Sequence, residues 1–185
     1  MLLFLLFGFS ISIQAFDRYT PETYPDSSLQ PLSCGQPRPS FLCDPNDFLS
    51  RTNNTGRVDK LSTSLIEVRG KTKCSCSAAD EIQCIDSSNG FTMSIALVPK
   101  FKLNDDEYTQ ANLLRAAELF ADSLRDRYDR DQCDDDILIV YSTNDSIIWT
   151  SVGDVASRYL YRTVIDQVQK QAGKSPFFSL VNLIV

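Results

Sequence analysis

Six cysteines follow a leader that is almost wholly apolar, and their even number restricts this chain more than any other feature. They are Cys34, Cys43, Cys74, Cys76, Cys84 and Cys133. In an exported chain such a set reads as a disulfide framework whose connectivity the sequence leaves open. The "CSC" at 74–76 is not a zinc knuckle, because zinc ligand pairs leave more residues between them. Two cysteines so close are also poorly placed to bridge each other, so each is expected to reach elsewhere. The leader "MLLFLLFGFSISIQA" falls short of the roughly 20 apolar residues that a membrane-crossing helix needs. Ala15 supplies a small residue before a cleavage point, so residues 1–15 are read as a signal peptide. The mature protein is then expected to be extracellular, secreted or held at the cell surface. Two sequons, "NNT" at Asn53 and "NDS" at Asn144, would be glycosylation acceptors on that route.

Composition removes several function classes. The formal net charge of −6 disfavours nucleic acid and anionic lipid as partners. There is no histidine, so the commonest general base, zinc ligand and pH switch are all missing. Neither a glycine-rich phosphate loop nor a nucleophile elbow is present. A cysteine in an oxidising compartment is bridged rather than poised for attack.

Periodicity organises the rest. Residues 16–56 are rich in Pro, Ser, Asn and Asp and predict an extended arm tied down by Cys34 and Cys43. From Gly56, the spacing of Val58, Leu61, Leu65 and Val68 predicts a helix, with cap candidates in "NNT" and a stop at Gly70. "FTMSIALVPK" at 91–100 predicts a buried strand. The next helix carries the stripe Leu113, Ala117, Phe120, Leu124 and Tyr128, with Asn104 as its cap and Glu107 in the capping-box position. "ILIVYS" at 137–142 predicts a central strand covered on both faces, and "TNDS" turns it into a third strand at 147–152. Asp154 would cap a last helix to about Lys170 whose apolar face uses Tyr161, Val164, Ile165 and Val168. The expected class is α/β, a small mixed sheet flanked by helices, over residues 57–172. An apolar tail, 173–185, is too short to span a bilayer.

Two acidic clusters are candidate sites. In "CDPNDFLS" the spacing fails as a calcium loop, since Phe48 and Leu49 stand where a ligand and a glycine are needed. Asp44 and Pro45 are instead good turn chemistry, with the Asp44 carboxylate bonding backbone amides ahead of it. The second cluster is Asp134, Asp135 and Asp136. With Asp105 and Asp106 it could hold calcium or magnesium if the two loops met, because hard cations accept oxygen-only sites. No other cofactor is expected. Trp149, the single tryptophan, is read as a core residue.

"CG" at 34–35, "CDPNDFLS", "RVDKLSTSLIEVRGKTKCSC", "MSIALVPK", "FADSLRDRY" and "CDDDILIVYS" follow one another as in TPM-domain proteins. Over roughly residues 31–170 the chain most resembles their nematode branch, the modulators of levamisole receptors. The family turn reads Cys-Asp-Pro-Asp-Gly, where this chain has Asn46 and Asp47. The resemblance implies a TPM-like α/β/α sandwich outside the cell. It also implies an accessory protein that binds subunits of an acetylcholine-gated, levamisole-sensitive channel, with no catalysis. Membrane contact would then come through the partner or through a C-terminal anchor missing from this chain. More distant TPM relatives imply one alternative, a divalent-cation-dependent acid phosphatase. A disulfide-stabilised secreted protein with another ligand is a second.

Overall fold

The computed structural model describes residues 19–51, 55–77, 79, 84, 89–103, 107–163, 165–167 and 170. The expected signal peptide, the tail 173–185, Asn53, Asp105 and Asp106 lie outside these residues, as do Asn104, Val164 and Val168. Four strands form one sheet: β1 (Leu42–Cys43), β2 (Thr92–Val98), β3 (Asp136–Ser142) and β4 (Ile147–Val152), in that spatial order. The first three run parallel and β4 returns antiparallel, with Val140 opposite Trp149, so the sheet is mixed as expected.

Strand alternation sends successive side chains to opposite faces, and each face meets different helices. Ala96, Val98, Leu138 and Val140 face α3 (Gln110–Tyr128), against Ala117, Phe120, Ala121, Leu124 and Tyr128. Ile95, Leu97, Ile137 and Ile139 face α2 (Thr55–Lys71), against Leu61 and Leu65. β3 is buried along its whole length, as a strand with helices on both sides must be. The crossovers β1–α2–β2 and β2–α3–β3 step the same way along the sheet yet pass over opposite faces. They therefore have opposite hands, and one of them departs from the right-handed rule.

The segment before α2 does more than extend. It forms a short 3-10 turn (Pro31–Cys34), the edge strand β1 and the single helical turn α1 (Phe48–Arg51). Tyr24 is buried in the α3-side core and its hydroxyl donates to the carbonyls of Cys43 (3.0 Å) and Leu97 (2.9 Å). Arg130 holds the same segment from the other side, through Asp26 (2.5 Å) and the Ser27 hydroxyl (3.1 Å), and it stacks on Tyr128.

Three helix boundaries differ from the sequence expectation. α3 is capped by Thr109, whose hydroxyl accepts from the Asn112 amide, rather than by Asn104 with Glu107. Tyr108 is held outside the helix by its hydroxyl bond to the Phe101 carbonyl (2.9 Å). α2 runs one residue past Gly70 and ends where the Thr72 hydroxyl donates back to Val68 (2.7 Å). The last helix begins as α4 (Asp154–Ser157) with Gly153 at its cap, not Asp154, because the Asp154 amide donates to the Asp134 carboxylate (2.7 Å). Turn geometry interrupts it after Ser157, and Tyr161 stands 71% exposed rather than on an apolar face.

Candidate functional site

Asp44 shows how a cysteine-led acidic turn can be wholly structural. Its two carboxylate oxygens accept from the amides of Phe48 (2.9 Å) and Leu49 (2.8 Å), and its own amide donates to Cys34 (3.0 Å). Burial raises its pKa against the pull of those amides. Gly35, at φ +66°, lets the Cys34 turn close on this loop, since a Cβ there would lie 3.0 Å from the Asp44 carbonyl. The Cys34–Cys43 bridge locks the 3-10 turn to β1. Asp44 bends the chain into α1, as the turn chemistry predicts.

The second cluster is organised around a cation that the chain itself supplies. Arg125, on α3, donates from one nitrogen to Asp134 (2.5 Å) and Asp136 (2.7 Å), and from Nε to the Ser151 hydroxyl (3.1 Å). Ser151 in turn donates to Asp122 (2.6 Å). Asp135 points elsewhere: it is fully buried and accepts from the Ser75 hydroxyl (2.8 Å) and the Gln132 amide (2.9 Å). Burial pushes Asp136 up to about 6 despite its bonds to Arg125. For Asp134, burial is outweighed by the Asp154 amide and Arg125, which hold it below the usual carboxylate range. The three adjacent acids are thus not brought onto one centre, and a calcium or magnesium ion between Asp134 and Asp136 would have to expel Arg125. This donor set does not fit a hard cation. Asp105 and Asp106 lie outside the described residues.

The remaining cysteines tie this region together. Cys74 bridges Cys84 and Cys76 bridges Cys133, so neither member of the C-x-C bonds the other, as its spacing predicts. Asn144 is exposed at the β3–β4 turn, while its neighbour Asp145 turns inward to accept from the Phe101 amide (3.0 Å) and the Ser142 hydroxyl (2.6 Å).

An open cleft of about 290 Å³ lies along β4. Four consecutive strand residues, Trp149, Thr150, Ser151 and Val152, line it together with Glu118 and Asp122 of α3. Leu160, Arg162 and Ile165 form the opposite wall. Neighbouring strand residues point to opposite faces, so a cleft touching four in a row runs along the strand edge. Trp149 packs only partly against the α3-side core. Sequence reasoning placed Trp149 in the core and had no view of the cleft; the polar Thr150 and Ser151 inside an apolar strand were its one visible sign.

The family described as modulator of levamisole receptor-1 matches residues 19–146, from the Tyr19 bridge to Phe101 through the β3–β4 turn. The chain belongs to that family. β4 and α4 lie beyond the matched stretch, so of the cleft only the α3 residues Glu118 and Asp122 fall within it. No curated protein and no solved structure matches this chain. Among the described residues no helix is long and apolar enough to cross a membrane.

Proposed function

We propose that this protein is an extracellular accessory subunit that modulates an acetylcholine-gated, levamisole-sensitive channel by binding its outer face. Membership of the modulator of levamisole receptor-1 family carries the reading. Three disulfides support an oxidising compartment, and the inward engagement of Asp44, Asp134, Asp135 and Asp136 supports a binding role over catalysis. Such a modulator must bind one channel state better than another, because equal affinity shifts no equilibrium. Co-expression with levamisole-sensitive receptor subunits tests this. The expected result is a changed agonist current together with co-purification of the channel; an unaltered current with no co-purification refutes it.

A further inference from the structure

β4 is the last strand of the sheet among the described residues, and its outer edge has a definite chemistry. The Gly153 amide donates to the Asp136 carbonyl (2.9 Å), which fixes the phase of the antiparallel ladder. Hydrogen-bonded pairs alternate with non-bonded ones, so Ser151 and Trp149 bond β3 while Ile148, Thr150 and Val152 turn their N–H and C=O groups outward. Outside the β3–β4 ladder, no backbone bond engages the Ile148 or Thr150 amide among the described residues. The outward groups of Thr150 and Val152 open into the cleft, with those of Ile148 next along the same edge. On one side of the cleft stand the carboxylates of Glu118 and Asp122 beside the half-buried Trp149 ring, on the other Leu160, Ile165 and Arg162, whose Nε lies 3.8 Å from the Asp166 carboxylate.

We propose that the outer edge of β4, which pairs with no strand among the described residues, accepts an added strand, an extended segment of a partner protein with basic side chains at alternate positions. Main-chain bonds to Ile148 and Thr150 would hold the segment. Alternation then places every second side chain against Glu118, Asp122 and Trp149, where a Lys or Arg meets both carboxylate and aromatic face. The intervening side chains meet Leu160 and Ile165 and are apolar. This deepens the proposed function by giving the channel contact a surface and a chemistry, and it rests on that reading for the partner's identity.

Trp149 is the only tryptophan, so its emission reports occupancy of the edge directly. The probe is the blocked peptide Val-Lys-Val-Arg-Val-Lys added to the full chain, with the Glu-for-Lys/Arg peptide as control. A saturable emission change with the basic peptide alone is expected, weakened about fivefold by Glu118→Lys. Thr150→Pro removes one outward N–H without touching the β3 ladder, so it abolishes the change while leaving the unfolding midpoint close to that of the parent. Silence of Trp149 to the basic peptide, an equal response to the acidic one, or an unaltered response in Thr150→Pro overturns the proposal. So does hydrogen exchange showing Ile148 and Thr150 amides already protected in the peptide-free chain, which would mean that the chain covers its own edge. Co-purification of the channel with parent and Thr150→Pro proteins separates the two readings. Loss with both condemns the channel assignment alone, and equal capture by both condemns the edge alone.

Discussion

Asp136 sits within reach of Arg125 yet is buried enough to keep its proton to about pH 6. An unfolded aspartate releases its proton near pH 4. Between those values the folded chain binds more protons than the unfolded one, so stability from this group is full below about pH 4 and lost as pH rises through about 6. Asp134 works the other way, but its lowered pKa places its effect on the acid side of that window. Replacing Asp136 with Asn removes the titration. Denaturant midpoints at pH 4 and pH 7 should therefore show the parent losing up to roughly 3 kcal/mol relative to Asp136→Asn. Equal changes in the two proteins would contradict the assignment. The sequence displays these acids as a run of three, which reads as a solvated loop or an ion site. What it cannot display is that Arg125, one helix earlier, is carried back over β3 by the fold and becomes their counterion. Asp44 was legible for the opposite reason: its partners Phe48 and Leu49 are four and five residues away, a distance over which local chemistry decides.

At the scale of elements, legibility follows the length of the periodic pattern. The α3 stripe is buried at Ala117, Phe120, Leu124 and Tyr128 and partly buried at Leu113, because it repeats its period several times; β4 also occupies the predicted span. β1 has two residues and no period to read; only its pairing with Ile95 and Ala96 makes it a strand. The α3 cap moved from Asn104 to Thr109 because a bond outside the helix, from the Tyr108 hydroxyl to the Phe101 carbonyl, decides where the chain can begin to turn. The Cys76–Cys133 bridge is a long-range device, closing a separation of 57 residues and tying the link before β2 to the loop before β3. Chain-entropy reasoning gives such a closure about 4 kcal/mol, against roughly 2.5 kcal/mol for the nine-residue separation of Cys34 and Cys43. Paired Ser replacements should lower stability in that order, measured as denaturant midpoints under oxidising conditions. A larger loss at Cys34–Cys43 would show that strain or denatured-state structure outweighs loop length.

Over the whole molecule, the edges and ends of the sheet are treated unequally. The β1 edge is screened by the segment from Tyr24 to Gln36, held by Tyr24, Arg130 and the Cys34–Cys43 bridge. The β4 edge carries an open cleft and outward amides. At the end of the sheet where β3 turns into β4, Asn144 is exposed while Asp145 anchors the turn from within. That division of labour leaves the Asn144 amide accessible without loosening the hairpin, so in a secretory host the sequon should be occupied. Asn144→Gln should then abolish the gel shift that glycosidase treatment produces at this site, with little change in the yield of secreted protein. Asp145→Ala should instead lower that yield, because it strips the Phe101 amide and the Ser142 hydroxyl of their partner. A glycan on Asn144 would crowd the end of the sheet but leave Thr150 and the cleft open along the strand. Enzymatic deglycosylation is therefore expected to leave the Trp149 response to the basic peptide intact, and a response that appears only after deglycosylation would place the glycan over the edge instead.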